Sequence, residues 1–283
     1  MNAVMTAFGC QQSQSRTLEI NGRALHFLEA GPSRAPALCF LHGGAAHAHW
    51  FDAVLPRFVP DHHVISLDQR GHGRSAWAVP PAYATEDFAS DLVTLMDRLG
   101  WEHMTLVGHS MGGHNSMAFS VWHPERVSAL VIVDSRPAIP LERLDRMHAR
   151  GRRGPRLHPS RESAVASFRL LPRETVADPR LLAHLASEGM VQRNGGWTYR
   201  FDPASNADRA PVDCWPLLSR VKAPTLIVSG GLSPVLPREM AERLRAAIPG
   251  ARRVEIPGAY HHLVLDQPDL FGAALADFLG SLD

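Results

Sequence analysis

The feature that most constrains this 283-residue chain is a series of short apolar runs at residues 37–41, 63–67, 104–107, 127–133 and 225–228, with a last near 253–256. Most are apolar throughout. A strand with one wet face alternates polar and apolar residues, whereas a strand covered on both faces does not, so these runs predict a parallel sheet buried between helices. Between two of them Phe88, Leu92, Leu95, Met96 and Leu99 fall on one helical face. Glu86 and Asp87 suit the positive N-terminal end of that helix, and Gly100 supplies its stop. Repeated strand, helix, strand units with right-handed crossovers define an α/β fold class, a mostly parallel central sheet flanked by helices. Residues 1–15 are polar and patternless, and from Thr17 two short strands around Asn21-Gly22 predict a hairpin, because that dipeptide readily takes positive φ.

Residues 136–213 break the alternation with clustered arginines, a helix over 160–171, a second helix starting at Asp178-Pro179 and a hairpin around Asn194-Gly195-Gly196. Asp178 can cap the first free N–H groups while Pro179 occupies the first helical position. The pattern divides the chain into a core over 1–135, an inserted and mainly helical cap over 136–213, and the rest of the core over 214–283. With 45% apolar residues it can bury a core. A net charge of +1, from 29 basic and 28 acidic residues, leaves no footprint for nucleic acid. Cys10, Cys39 and Cys214 lack metal-ligand spacing and read as reduced structural thiols. No apolar run approaches the roughly 20 residues of a membrane span, and no leader pattern opens the chain, so the expectation is a cytoplasmic protein without a membrane span. Oligomeric state is not legible in one sequence.

The strongest local motif is Gly108-His109-Ser110-Met111-Gly112-Gly113, between the run at 104–107 and a helical stretch from about Met111. A serine on so sharp a strand-to-helix turn is pushed out of the sheet, and small residues at 108 and 112 are needed because the backbone approaches itself there. The bland alternative is a turn whose serine only caps a helix. His42-Gly43-Gly44 follows the run at 37–41, and the N–H of Gly44 with that of Met111 could form an oxyanion hole.

With Asp68-Gln69-Arg70-Gly71-His72-Gly73-Arg74-Ser75 after the run at 63–67 and Gly258-Ala259-Tyr260-His261-His262-Leu263 near the end, the chain resembles the α/β-hydrolase fold superfamily over nearly its whole length. The resemblance implies a serine nucleophile, Ser110, and a structural role for the 68–75 loop. It also places the base at His261, with His262 as the neighbouring alternative. A serine hydroxyl needs such a base, and the base needs an acid that fixes its tautomer. The commonest family position for that acid holds Ser233, whose hydroxyl cannot offset an imidazolium charge. Some members carry the acid after the strand that follows the elbow, which points to Asp134; Asp266 is a weaker candidate. Other histidines, such as His26, His63 and His123, read as surface or packing residues.

Six arginines between 143 and 156 read as a solvated face or, less simply, as an anion-binding patch. Trp197, Tyr199 and Phe201 alternate as on a strand and either line a substrate pocket or pack the cap. The expected function is an esterase-like hydrolase that cleaves a small or medium carboxylic ester or lactone, with a small-molecule substrate, no cofactor and no metal. The same triad could serve carbon–carbon hydrolysis or cofactor-free oxygen chemistry, and the fold could also carry a non-catalytic binding protein.

Overall fold

The structure, a computed structural model, describes residues 13–282. Eight strands form one sheet: β1 (Gln14–Ile20), β2 (Arg23–Ala30), β3 (Ala37–Leu41), β4 (His63–Leu67), β5 (Met104–His109), β6 (Val127–Val133), β7 (Thr225–Gly230) and β8 (Arg252–Ile256). Their spatial order is β1-β2-β4-β3-β5-β6-β7-β8. Strands β1 and β2 pair antiparallel, as do β2 and β4, and the other neighbours run parallel. The Asn21-Gly22 turn has positive φ at both residues, but β1 begins three residues before the hairpin expected from Thr17.

The apolar runs are continuous because both faces of the sheet are covered. On β3, Leu38 and Phe40 join one core with Phe51, Phe271 and Leu275, while Cys39 and Leu41 join the opposite core with Met117, Phe119 and Leu95. Val131 and Val133 of β6 face the first core, Leu130 and Ile132 the second. Helices α1 (Thr85–Leu99) and α2 (Met111–Trp122) cover one side. Asp87 accepts from the Ala84 N–H at the start of α1, and Gly100 ends it with a φ of 69°. Cys39 and Cys214 are buried and free; Cys10 lies outside the described residues.

Between β6 and β7 the chain adds no strand to the main sheet. It forms α3 (Leu141–Gly151), α4 (Arg161–Ala166), α5 (Pro179–Glu188), a hairpin of Met190–Arg193 with Gly196–Tyr199, and α6 (Ala204–Ala207). Asp178 accepts from the Arg180 N–H at 2.8 Å, the expected cap of α5. The helix expected over 160–171 is shorter, because the Ser167 hydroxyl turns back to the Ala164 carbonyl at 2.7 Å and also meets His158 and Tyr199. Pro172 also disfavours helical geometry at the residue before it. Helices α7 (Arg238–Ala247), α8 (Leu263–Asp266) and α9 (Pro268–Gly280) complete the chain. Among the described residues no helix is long and apolar enough to cross a membrane.

Candidate active site

Ser110 stands between β5 and α2 with φ 53° and ψ −114°, a conformation that L-residues adopt only under constraint. The constraint is visible in its neighbours. A β-carbon at Gly108 would lie 2.5 Å from the Gly112 backbone, and one at Gly112 would lie 2.2 Å from the Leu41 carbonyl oxygen. Only glycine lets β3, β5 and α2 converge so closely. Donation from Ser110 N–H to the Val133 carbonyl and from the Ser135 hydroxyl to the Ser110 carbonyl, at 3.0 and 2.6 Å, holds the turn.

Three loops at the C-terminal ends of β5, β6 and β8 bring Ser110, Asp134 and His261 together. His261 Nε2 lies 3.1 Å from Ser110 Oγ, and its Nδ1 lies 2.7 Å from Asp134 Oδ2. Asp134, with no solvent exposure, also accepts from the Gly230 N–H at 3.2 Å and from the Ser233 hydroxyl at 2.6 Å. The serine at the commoner acid position thus donates to the carboxylate that occupies the other one. Burial has the largest effect on both ionisable partners and favours their uncharged forms. It pushes the Asp134 carboxyl up to about 7 against the lowering bonds from Ser233 and Gly230. It pushes His261 down to about 3, helped by the charges of Arg143 and Arg136 and opposed by Asp266. The ring is therefore uncharged at neutral pH, and with its one proton on the Nδ1 that faces Asp134, Nε2 can accept the hydroxyl proton.

The Gly43-Gly44 turn lies against the elbow, where a β-carbon at Gly43 would approach the Ser110 β-carbon to 3.1 Å. Among the described residues the N–H groups of Gly44 and Met111 have no protein acceptor. His262 points elsewhere, its Nε2 3.2 Å from the Pro172 carbonyl. Asp266 accepts from the N–H groups of Tyr260 and Val176 and from the Thr175 hydroxyl, so it clamps the loop that carries His261 to the inserted segment. The Tyr199 hydroxyl meets Ser167 Oγ and its ring packs on Phe168, which faces Trp50. Trp197 pairs through its backbone with His158, and neither aromatic bonds to or stacks on Ser110, His261 or Asp134. Asp68 is structural: it accepts from Ala48 N–H, Arg74 N–H and His26 Nδ1, with Gly73 too close for a β-carbon. His26 and His63 are buried and hydrogen-bonded, and the His123 ring packs on Phe119.

Two features escaped sequence reasoning. His109, just before Ser110, bonds through Nε2 to the His261 carbonyl at 2.9 Å and so steadies the loop that carries His261. Arg209, Asn115, Gln69 and His42 form a buried hydrogen-bonded chain beneath the Gly43-Gly44 turn. Both join residues far apart in sequence and follow no local motif. Among the described residues His109, His261 and His262, and separately His49, Asp52 and His184, bring three metal-ligand atoms within 4.8 Å. In the first group both nitrogens of His261 are engaged by Asp134 and Ser110; in the second, Asp52 Oδ2 binds both imidazoles at 2.8 Å.

The profile of the alpha/beta hydrolase fold matches residues 36–152. The 2-(acetamidomethylene)succinate hydrolase of Mesorhizobium japonicum is 28% identical over 94% of this chain and 95% of its own. Esterase YbfF of Escherichia coli is 30% identical over 80% of this chain and 86% of its own. A crystal structure of E-2-(acetamidomethylene)succinate hydrolase superposes with a TM-score of 0.85 at 28% identity, covering 95% of this chain and 99% of that one.

Proposed function

This chain belongs to the α/β-hydrolase fold family, and from that premise we propose that it is a serine hydrolase acting on a small carboxylic ester or lactone. The observation that carries the proposal is the unbroken line from Asp134 through His261 to Ser110 Oγ on a strained elbow. Ser110 Oγ attacks the carbonyl carbon while His261 Nε2 takes its proton, and Asp134 holds the ring in the tautomer that leaves Nε2 free. The oxyanion receives the N–H groups of Gly44 and Met111. The imidazolium returns its proton to the departing alkoxide, and a water activated by the same nitrogen releases the acid from the acyl-enzyme. This chemistry needs no cofactor. The kinship with a relative named an esterase supports an ester bond as the target.

Residues 136–213 act in this reading as the cap over Ser110, with Tyr199 and Trp197 on the pocket side. The test is acid release from a panel of methyl esters and lactones by wild type and Ser110→Ala. Turnover by the wild type and its loss in folded Ser110→Ala support the proposal; equal turnover by both removes Ser110 as nucleophile.

A further inference from the structure

Of the arginines clustered between 143 and 156, Arg146 pairs with Glu142, and Arg150, Arg152, Arg153 and Arg156 are exposed. Arg143 differs. It is half-buried, and among the described residues no carboxylate, carbonyl or aromatic ring partners its guanidinium. A cation partly withdrawn from water without a counter-charge is costly, and native structures seldom leave one so.

Its helix packs beside the elements that carry the site. Helix α3 packs on α6 through Gly151, where a β-carbon would meet the Ala207 N and the Pro203 carbonyl at 2.3 and 2.6 Å. Ala204 of α6 packs in one apolar cluster with Met111, the residue after the nucleophile. The positive charge of Arg143 is also the strongest of those acting on His261. Arg136, whose charge acts on His261 and on Asp134 too, donates to the carbonyls of Pro234 and Val235 and forms no ion pair among the described residues.

Beside His261 stands a second group of unmet donors and acceptors. Trp50 Nε1 and the Nδ1 atoms of His262, His109 and His47 are buried without a partner among the described residues. Ring contacts link Trp50 to His262 at 6.1 Å, His262 to His109 at 5.7 Å and His109 to His261 at 4.8 Å. The indole N–H of Trp50 can only donate and so suits a ligand oxygen, whereas each of these histidines gives its Nε2–H to a backbone carbonyl and turns an accepting Nδ1 to the ligand. The wall therefore suits a polar ligand, and Arg143 is the group that suits its anionic part. An alkyl chain would leave it unsatisfied.

We infer that the substrate of this site carries a carboxylate near the scissile bond and that Arg143 is the residue that binds it. This inference rests on the serine-hydrolase reading, and the test separates the two. Monomethyl succinate and its uncharged analogue methyl valerate are titrated calorimetrically into Ser110→Ala and into Ser110→Ala/Arg143→Gln, and their hydrolysis is followed in the wild type, Arg143→Gln and Arg143→Lys. In Ser110→Ala the anionic ester binds about 10- to 100-fold more tightly than methyl valerate, the scale of one charge-assisted hydrogen-bonded pair. The double variant loses that margin and binds methyl valerate as before. In turnover Arg143→Gln raises KM for monomethyl succinate at unchanged kcat, and Arg143→Lys keeps part of the preference. Equal affinity for the two esters in Ser110→Ala, or an unchanged margin in the double variant, overturns the inference. Absence of hydrolysis of either ester by the wild type defeats the hydrolase reading, while the titration still decides the anion preference.

Discussion

Replacing Asp134 by Asn changes one atom and leaves the shape of the site intact. The carboxylate receives three hydrogen bonds: Oδ2 takes His261 Nδ1 at 2.7 Å and the Ser233 hydroxyl at 2.6 Å, and Oδ1 takes the Gly230 N–H at 3.2 Å. An amide has one acceptor oxygen. If that oxygen stays with Gly230, the NH2 group faces Nδ1, the ring proton moves to Nε2, and Nε2 donates to Ser110 where it should accept. If the amide flips, its NH2 meets the Gly230 N–H in a fully buried place, which costs about 1–3 kcal/mol. The first arrangement wins and fixes the wrong tautomer, so kcat falls by roughly a thousand- to ten-thousandfold, about 4–5.5 kcal/mol in the barrier. The assay is kcat on the best ester of the panel, with thermal unfolding to show that the fold persists. A folded Asp134→Asn enzyme within about tenfold of wild type would refute the role of Asp134. Because Ser233 already reaches Oδ2, Ser233→Asp placed in that background restores part of the rate.

Gly112→Ala forces a β-carbon against the Leu41 carbonyl oxygen at 2.2 Å; a loss of about 1–3 kcal/mol is expected in chemical denaturation, and a midpoint unchanged from wild type would contradict the close approach. Asp266→Ala releases the clamp on Tyr260, Val176 and Thr175, so thermal stability drops by about 1–3 kcal/mol and kcat falls with it, whereas a stable, fully active variant would show the clamp to be dispensable. Burial holds His42, His47, His72, His109 and His114 at about 3 to 4, below their ordinary 6.5. At these five sites the unfolded chain therefore binds more protons than the folded one below pH 6.5, and their contribution to stability, complete above that pH, declines as pH falls towards 4. All five shifts act in the same direction, so acidification below pH 6.5 weakens the fold. Burial holds His261 at about 3, in the same range, so activity and near-ultraviolet circular dichroism are lost together on acidification; an acid limb near 6.5 in a fully folded protein would contradict this.

The parts of the molecule legible in the sequence are those written in local pattern. Runs such as 127–133 are apolar throughout because Val131 and Val133 face one core while Leu130 and Ile132 face the other. The glycines at 108 and 112 mark the elbow because no β-carbon fits there. Asp134 is a candidate through the family resemblance, which gives the acid an alternative place after the strand that follows the elbow, and the structure sets it 2.7 Å from His261 Nδ1. What stayed hidden depends on residues far apart in the chain: the donation from Ser233 to Asp134, the buried line from Arg209 to His42, and the lack of a partner for Arg143. The helix over 160–171 was overdrawn because apolar spacing does not reveal that Ser167 binds backbone and side chains instead of continuing the helix.

The central claim is that Ser110 is an activated nucleophile, and the most direct measurement is the site and rate of its modification by a fluorophosphonate probe, read by mass spectrometry of the intact protein and its peptides. The account predicts one label per chain on the peptide that contains Ser110, none in Ser110→Ala, and labelling slowed at least a hundredfold in His261→Ala but little changed in His262→Ala. Labelling of Ser110 no faster than in denatured protein, or a label on another residue, would contradict it.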